Sequence, residues 1–186
     1  MNSKVLPLVD LETTGLDPVN DKILEFGVIV ATWQLEELAR KSWMIHWDNS
    51  ALTNLSSYVR KMHTDNGLLK EVEESTKTLG EVEVEVMRFL LPYNEKGAKF
   101  VIGGNSVNYV RKFIEYQMPL LDIMLHYRVI DITSVGLLSE NWTPETDKKI
   151  KSSLNEVKGN HRSMGDLDRC FKSAQLYKDL IFKDKP

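Results

Sequence analysis

The sequence predicts an α/β fold in which helices flank a mixed β-sheet. Three β-like runs come first, VLPLVDLE, KILEFGVIVATW and ARKSWMIHW, separated by polar, turn-rich breaks. Short β-rich runs then alternate with helical patterns through the second half of the chain. A three-strand meander followed by alternating strands and helices is typical of a mixed sheet with helices packed against it.

The composition fits one compact domain, which we assign to residues 1–186. Of the 186 residues, 42% are hydrophobic and 27% are charged, which is enough apolar material for a core. The net charge of -3 argues against a basic groove that tracks long nucleic acid, because phosphate neutralisation supplies most non-specific affinity. A short substrate held partly by metal ions is compatible with this charge.

Three features predict a cytoplasmic protein, with an organelle such as the mitochondrion as the alternative. The opening MNSKVLPLVD leaves no room for a secretion signal. No apolar stretch approaches the roughly 20 residues needed to cross a bilayer, so no membrane partner is expected. Cys170 is the only cysteine, which excludes an internal disulfide and is typical of a reducing compartment. We expect Cys170 to pack in the core.

Pro7 stands inside the first predicted strand, where it removes a backbone donor. Two arrangements remain open, since the strand either pairs fully only from Leu8 or forms a bulge in its first residues. Both arrangements keep Asp10 and Glu12 within the strand.

The middle of the chain predicts helices. An apolar stripe at spacings of three and four begins this region, formed by Leu52, Leu55, Tyr58, Val59 and Met62. The following stretch TLGEVEVEVMRFLLP contains EVEVEV, which alternates like a strand. Thr78 and Glu81 form a capping-box pattern and Pro92 ends the segment, so we favour a helix.

The second half of the chain alternates strands and helices. KFVIGG and YRVIDIT predict short strands, while VRKFIEYQMPLL predicts a helix that ends near Pro119 and SVGLLSENW predicts another helix. Residues 143–159 are polar with little apolar periodicity, which predicts a mobile loop. A final helix is expected from about Met164 to Phe182.

Two carboxylates lie two residues apart in VDLETTGLD. On a strand, Asp10 and Glu12 point to the same face. They repel each other unless a cation lies between them, and hard oxygen ligands suit Mg²⁺ or Mn²⁺. Taken alone, the pair fits a solvated strand edge or a turn cap better than a metal site. Thr14 and Gly15 then allow a sharp turn close to a ligand.

A second pattern is HRSMGD, in which His161 precedes the final helix and Asp166 falls in its first turn. A spacing of five on one helix would place them roughly 140° apart, so we expect His161 on the preceding loop. A histidine there suits removal of a proton from water, since its ordinary pKa is about 6.5. In isolation, a surface histidine and an aspartate that favours the helix dipole explain the pattern better.

Together these patterns resemble the exonucleases that carry Asp-x-Glu on the first strand, a middle Asp, and a His and an Asp at the last helix. The resemblance narrows to the oligoribonuclease family, because similar blocks occur in the same order: HTDNGLLKEVEEST, GGNSV, QMPLL, LHYRVIDIT and HRSMGDLD. It implies a ribonuclease H-like fold and a 3′→5′ exoribonuclease that degrades short oligoribonucleotides, dinucleotides above all, to mononucleotides. It also implies two divalent ions, Mg²⁺ or Mn²⁺, that flank the scissile phosphate.

The resemblance also assigns roles to individual residues. Asp10, Glu12 and Asp166 would be the metal ligands, and these three residues with His161 would be the catalytic residues. His161 would accept a proton from the attacking water.

Four positions of this sequence match substrate contacts of the family, and a fifth, Tyr58, departs from the family's residue. Leu16 would wedge against a base, Ser106 would contact the 3′ side of the substrate, and the adjacent Asn105 would also bind the substrate. Tyr58 stands where the family usually has a tryptophan, and His63 matches a histidine near the substrate. A histidine at a helix end is as easily structural.

Tyr127 and Arg128 resemble the pair that closes on the 5′ phosphate from the partner subunit. Arginine suits this task because its planar group binds phosphate oxygens with two donors. The resemblance therefore implies a homodimer that takes RNA of a few nucleotides. The alternative is an aromatic residue at a strand start with a surface charge beside it.

The middle aspartate of the family has no counterpart here. Counting five positions from Asn105 reaches Val110, and none of its helical neighbours three and four positions away is acidic. Because this aspartate mainly supports the second ion, we expect one ion to bind well and the second weakly. Loss of one electrostatic element of such a site typically costs about 10²–10³ in rate. A smaller departure is Thr13, where the family usually has methionine.

Three functions remain open from the sequence. The first is the exoribonuclease, supported by Asp10, Glu12, His161 and Asp166. The second is a catalytically inactive pseudonuclease that binds short RNA or a protein partner, supported by Val110. The third is a DNA-proofreading exonuclease, since VDLETTGLDP also resembles that wider group. Retention of a proton acceptor favours the first over the second, and the HYR block disfavours the third.

Overall fold

The computed structural model describes residues 4–53, 55–157 and 159–182. The strands are β1 (Val5–Thr13), β2 (Ile23–Thr32), β3 (Glu37–Met44), β4 (Phe100–Gly104) and β5 (Leu125–Asp131). The α-helices are α1 (Ser57–Asp65), α2 (Leu68–Glu74), α3 (Leu79–Leu90), α4 (Val107–Gln117), α5 (Pro119–Ile123), α6 (Ile132–Trp142), α7 (Pro144–Leu154) and α8 (Ser163–Tyr177). Short 3₁₀ turns span Asn49–Leu52, Leu91–Tyr93 and Glu95–Gly97, and a π-helical turn, Lys178–Phe182, continues α8.

The strands form one mixed sheet in the order β3-β2-β1-β4-β5. Strands β1, β2 and β3 pair antiparallel, while β4 runs parallel to β1 and β5 runs parallel to β4. The predicted mixed sheet with a leading meander and flanking helices is confirmed. Because β1, β4 and β5 are parallel, their carboxyl ends meet at one edge of the sheet.

The pairing of β1 excludes the bulge predicted around Pro7 and agrees with full pairing only from Leu8, because β1 pairs with β4 at Leu8, opposite Gly103. Strand β1 pairs with β2 from Val5 onward, and Pro7 lies opposite Val30 without a change of register. The irregularity falls instead between Glu12 and Thr13. A proline lacks only its own donor, so the neighbouring residues maintain the ladder.

Alternate residues of β1 enter different cores on the two faces of the sheet. Val5, Val9 and Leu11 join the cluster covered by α3, α4 and α5, whereas Leu6 and Leu8 join the cluster covered by α7 and α8. A strand alternates its side chains with a period of two. The residues that follow Leu8 at even positions therefore face α8.

The helix predicted over EVEVEV is confirmed as α3. The Thr78 side chain accepts a hydrogen bond from the Glu81 N–H, and the Glu81 carboxylate accepts one from the Thr78 N–H. Caps of this kind contribute about 1 kcal/mol. Val82 and Val86 are fully buried on the inner face, so helical periodicity outweighs the local alternation.

The prediction of a loop over residues 143–159 is wrong, because Pro144–Leu154 forms α7. Ile150 and Leu154 lie four residues apart and pack into the cluster beside α8. Lys151 pairs with the buried carboxylate of Asp147 at 2.8 Å. Two apolar residues give little periodicity in the sequence, and packing against the rest of the protein stabilises such a helix. Residue 158 of the predicted loop lies outside the described residues.

Smaller differences concern where elements begin and end. The apolar stripe from Leu52 to Met62 spans a 3₁₀ turn and α1 rather than one helix, and residue 54 between them lies outside the described residues. The helix predicted to end near Pro119 ends at Gln117, and Pro119 opens a second short helix, as proline favours the first turn. The final helix is confirmed. Cys170 packs in the core as expected, with 1% of its surface exposed.

Candidate active site

Three carboxylates from two elements meet at the carboxyl end of β1. One oxygen from each of Asp10, Glu12 and Asp166 lies within 4.8 Å of the others. Asp10 and Glu12 continue the face of Leu6 and Leu8, which is the face that α8 covers. Asp166 is in the first turn of α8. The strand period and the start of one helix therefore bring the sequence-predicted acids together.

Burial is the main cause that raises the pKa values of these acids. Burial, followed by the charge of Asp166, raises the pKa of Asp10 to about 8. Burial, followed by the charges of Asp10 and Asp166, raises the pKa of Glu12 to about 8. Burial likewise raises the pKa of Asp166, although His161 opposes this shift. Carboxylates held this way are costly to ionise unless a positive charge compensates them.

A divalent cation fits this donor set. The cluster offers carboxylate oxygens alone, which suits hard cations such as Mg²⁺ or Mn²⁺. Such a cation would compensate the charge of the ionised carboxylates, whose burial and mutual repulsion raise the pKa values of Asp10 and Glu12. Within the described ranges, this is the one group of three or more acidic, histidine or cysteine side chains with that spacing.

His161 lies on the loop before α8, as the spacing predicted. The helix begins at Ser163, and His161 is exposed on left-handed backbone with φ 53°. The Asp166 carboxylate accepts hydrogen bonds from the backbone N–H groups of Asn160 and His161. A side chain at Gly159 would collide with this carboxylate, so the loop wraps closely around Asp166.

Arg162 is a residue of this site that the sequence analysis missed. Its Nε donates to Glu25 at 3.0 Å, and its two terminal nitrogens donate to Glu71 at 2.8 and 2.7 Å. Glu25 is 1% exposed and lies opposite Glu12 on β2. Arg162 therefore compensates a fourth acid beside the cluster. The signal was Glu25 itself, a single acid inside the apolar run KILEFGVIV.

His63 lies under the end of β1 rather than at the surface. Its side chain is 0% exposed, and its Nε2 lies 3.1 Å from the carbonyl oxygen of Thr13 and 3.9 Å from the Glu12 carboxylate. Burial lowers the pKa of His63, so the neutral ring donates through Nε2 to the Thr13 carbonyl. The predicted contact with substrate stays a prediction.

Leu16 and Tyr58 present apolar surface to solvent. Leu16 follows β1 and is 81% exposed, while Tyr58 is in the first turn of α1 and is 70% exposed. Single exposed apolar residues are common on protein surfaces. Contact of these two side chains with substrate therefore stays a prediction.

Asn105 and Ser106 follow β4 at the same edge of the sheet as the acids. Ser106 has left-handed backbone with φ 48° and precedes α4. Its N–H lies 3.1 Å from Asp131 Oδ1 and 3.0 Å from Thr133 Oγ1. The end of β5 thus fixes the backbone of the residue predicted to contact the 3′ side.

Tyr127 and Arg128 are not brought to the acid cluster within one chain. They lie on β5, which is the edge strand and is separated from β1 by β4. Tyr127 is 76% exposed and stacks on His126 with ring centres 4.4 Å apart, and Arg128 lies 5.3 Å from the Tyr127 ring. A role for this pair in another subunit's site stays a prediction.

Val110 lies in the core in the first turn of α4. It is 1% exposed and belongs to the main hydrophobic cluster with Phe113 and Ile114. The neighbouring Tyr109 reaches the end of β1 instead, with its hydroxyl 2.5 Å from Thr13 Oγ1 and 2.8 Å from the Gly15 carbonyl oxygen. Helix α4 therefore contacts the site region through a phenol.

Among the described residues, no helix has the length and apolar character needed to cross a membrane.

Comparison with known proteins agrees with this geometry. The sequence pattern of the exonuclease family RNase_T matches residues 8–173. The oligoribonuclease of Leifsonia xyli subsp. xyli is 31% identical over 186 residues, which cover 100% of this chain and 87% of that protein. The mitochondrial oligoribonuclease of Homo sapiens is 35% identical over 182 residues, which cover 95% of this chain and 73% of that protein.

Solved structures confirm the ribonuclease H-like fold. Exonuclease I from Methylocaldum szegediense superposes with a TM-score of 0.75 at 13% identity, covering 96% of this chain. This chain spans 41% of that protein. A 3′-exonuclease that recognises the histone mRNA stem-loop superposes with a TM-score of 0.66 at 17% identity, covering 94% of this chain and 63% of that one. Fold, acid cluster and sequence likeness agree, and the chain belongs to the oligoribonuclease family of 3′→5′ exonucleases.

Proposed function

We propose that this chain hydrolyses short oligoribonucleotides from the 3′ end, dinucleotides above all, and releases mononucleotides. The observation that carries the proposal is the convergence of three carboxylate oxygens within 4.8 Å in a chain of the oligoribonuclease family. The loop of His161 adjoins this cluster, since its N–H bonds to the Asp166 carboxylate. These features supply a cation site and a proton acceptor side by side.

We assign each role in the hydrolysis to particular residues of the chain. Bound Mg²⁺ or Mn²⁺ would stabilise negative charge on the reacting phosphate. Asp10, Glu12 and Asp166 would hold that ion through their carboxylate oxygens. His161 would accept the proton of the attacking water while the bond between phosphorus and the 3′ oxygen breaks. The 3′ oxygen takes up a proton, and a nucleoside 5′-monophosphate leaves.

The expected rate of dinucleotide hydrolysis depends on Val110. This side chain offers no oxygen ligand, so the residues of this chain favour one tightly held ion, with a second bound weakly. Loss of one electrostatic element from a preorganised site costs about 10²–10³ in rate. We therefore expect slow hydrolysis. The carboxylate oxygens do not discriminate between Mn²⁺ and Mg²⁺, so either ion is a candidate.

Substrate contacts would come from both sides of the acid cluster. The exposed side chains of Leu16 and Tyr58 offer apolar surface to bases, which contact such side chains without regard to sequence. Asn105 would bind the substrate, and the adjacent Ser106 would contact its 3′ side. The fixed backbone of Ser106 supports this role because it is held by Asp131.

A homodimer would complete the site. Strand β5 is an edge of the sheet, and Tyr127 is 76% exposed on it beside the Arg128 guanidinium. Within one chain these residues are separated from β1 by a strand, so they could close on a 5′ phosphate only in a partner's site. Such closure would limit the substrate to a few nucleotides. Light scattering that finds a monomer would overturn this part of the proposal.

The remaining assignments follow from general features. We assign residues 1–186 to one exonuclease domain, since both large hydrophobic clusters pack on one sheet. We assign the protein to the cytoplasm because its single cysteine, Cys170, is buried and unpaired. An organelle is the alternative, since the human relative is a mitochondrial protein by name.

A pseudonuclease that binds short RNA or a protein partner is the second candidate. Val110 is the observation that favours it, because the family's middle acid is replaced by a buried apolar side chain. Such a protein would bind an RNA dinucleotide and leave it intact. Retention of Asp10, Glu12, Asp166 and His161 supports the exonuclease over this candidate.

The deciding experiment measures hydrolysis of a labelled RNA dinucleotide with Mg²⁺ and with Mn²⁺. Mononucleotides should appear, and Asp10→Asn should abolish them while the exposed control Asp179→Asn should not. A DNA dinucleotide run in parallel tests the proofreading alternative. Binding without any product would reject hydrolysis in favour of the pseudonuclease, and faster cleavage of DNA would reject the RNA preference.

A further inference from the structure

We propose that Asn66 is a positioning residue that holds His161 in its reactive place. This inference rests on the proposed function, because it concerns the proton acceptor of that reaction. Asn66 follows α1 and precedes α2, and it lies in the segment HTDNG. Neither the position nor the residue type marks it as part of the site.

The side chain of Asn66 connects two segments that are far apart in sequence. Its Nδ2 donates to the carbonyl oxygen of His161 at 2.5 Å and lies 3.4 Å from the carbonyl oxygen of Asn160. Its Oδ1 accepts a hydrogen bond from the N–H of Leu68 at 3.0 Å. One end of the amide is thus fixed by α2, and the other end holds the loop.

The loop needs such a contact because its backbone is strained. His161 has φ 53°, in the left-handed region that a non-glycine residue adopts only at a cost. Such strained backbone persists only where surrounding contacts impose it. The amide of Asn66 bonds the carbonyl of this same residue. Without that bond, His161 should relax toward ordinary backbone and move its ring.

The segment that joins α1 to α2 and the ends of these helices contact both the end of β1 and the loop before α8. His63 bonds the carbonyl of Thr13, beside Glu12 on β1. Asn66 bonds the carbonyl of His161, and Glu71 accepts two hydrogen bonds from Arg162. The segment from His63 to Glu71 therefore contacts both the end of β1 and the loop that carries His161.

Arg162 and Asn66 both hold the loop before α8, but only Arg162 is charged, so their substitutions should have different effects. Arg162 compensates the buried Glu25, so its loss leaves a buried charge and threatens folding. Asn66 is half-buried and carries no charge. Its substitution should therefore change the position of His161 with little change in the fold.

The test substitution is Asn66→Asp, which changes one functional group. The remaining oxygen still accepts from the Leu68 N–H, so the turn into α2 is kept. The donor to His161 is lost, and a carboxylate oxygen faces the carbonyl oxygen. The control is Asn141→Asp, which removes an exposed side-chain amide bonded to the Leu137 carbonyl at 2.8 Å within helix α6.

The kinetic expectation concerns kcat rather than KM. Misplacing a reacting group by about 1 Å can cost 10²-fold in rate. We expect Asn66→Asp to lower kcat for RNA dinucleotide hydrolysis by about 10–100-fold and to leave KM within about twofold. Asn141→Asp should match the unaltered chain. An unchanged kcat in Asn66→Asp contradicts the inference.

A double mutant separates positioning from a general loss of structure. If Asn66 acts through His161, adding Asn66→Asp to His161→Ala should not slow the reaction further, because the group it positions is already absent. A purely structural effect should instead multiply with the loss of His161. Multiplicative losses would therefore overturn the inference.

Hydrogen exchange decides the inference independently of activity. The amides of Asn160 and His161 bond the Asp166 carboxylate and report the order of the loop. Asn66→Asp should speed their exchange by at least about tenfold while α8 beyond Asp166 keeps its protection. Unchanged exchange of both amides overturns the inference. If the unaltered chain cleaves no RNA, the proposed function fails, and this exchange result alone still decides the role of Asn66.

Discussion

Helices α4 and α8 both begin shortly after a residue with left-handed backbone, but the fourth residue is apolar in α4 and acidic in α8. Each follows left-handed backbone, at Ser106 before α4 and at His161 before α8. The fourth residue of α8 is Asp166, whereas the fourth residue of α4 is Val110. Asp166 meets the two carboxylates of β1, while Val110 is 1% exposed in the main core.

The difference teaches that backbone placement and ligand chemistry are separable in this fold. The first turns of both helices are held at the same edge of the sheet, α8 through Arg162 and α4 through the Ser106 N–H. At one position the side chain is a carboxylate of the acid cluster, and at the other it contributes to packing. The two helices therefore begin at the same edge of the sheet although position 110 carries no carboxylate.

The largest expected effect comes from Asp166→Val, which gives the fourth position of α8 the residue found at the fourth position of α4. Asp166→Val removes one of three carboxylates, so cation binding and hydrolysis should both collapse, with a rate loss of about 10³. Dinucleotide hydrolysis and the rise in Tm on adding Mn²⁺ measure the two losses. The control is Asp168→Val on the same helix, where an exposed pair with Arg40 contributes only about 0–1 kcal/mol. A Tm rise in Asp166→Val equal to that of the unaltered chain would show that the cation binds elsewhere.

The reverse exchange gives α4 the residue type of α8. Val110→Asp should raise the rate of dinucleotide hydrolysis by about 10²–10³. Without divalent ions, the buried carboxylate should lower the free energy of unfolding by about 1–3 kcal/mol, which added Mn²⁺ should partly restore. Val110→Asn is the control of equal size without charge. If the Asp and Asn variants hydrolyse at the same rate, the missing carboxylate is not what limits this enzyme.

The smallest expected effect concerns Asp131, which holds the loop before α4 as Arg162 holds the loop before α8. Asp131 accepts hydrogen bonds from the N–H groups of Ser106 and Thr133 and caps α6. Asp131→Ala should lower the free energy of unfolding by about 1–3 kcal/mol and raise KM several-fold, since it releases a predicted substrate contact. Urea unfolding and dinucleotide kinetics measure both, with Asp179→Ala as an exposed control. A change in kcat alone would mean that the two loops do not divide binding and proton transfer.

The sequence predicted more of the acid cluster than of its surroundings. The period of two along β1 was enough to place Asp10 and Glu12 on one face, and the spacing before α8 was enough to place His161 on a loop. Both arrangements follow from backbone geometry within a few residues. By contrast, Arg162 and Glu25 are 137 positions apart, and no local pattern predicts that they pair.

The sequence by itself determined the order of the five strands along the chain, the candidate residues of the site, and the absence of an acid at position 110. Periodicity, capping and residue identity are local properties, and they can be recognised in the sequence without knowledge of the fold. Only the tertiary structure decided that residues 144–154 form a helix, that His63 is buried beneath β1, and that Tyr127 and Arg128 lie away from the acids of their own chain. Those outcomes depend on which distant surfaces pack together, because burial supplies the free energy that weak local propensities lack.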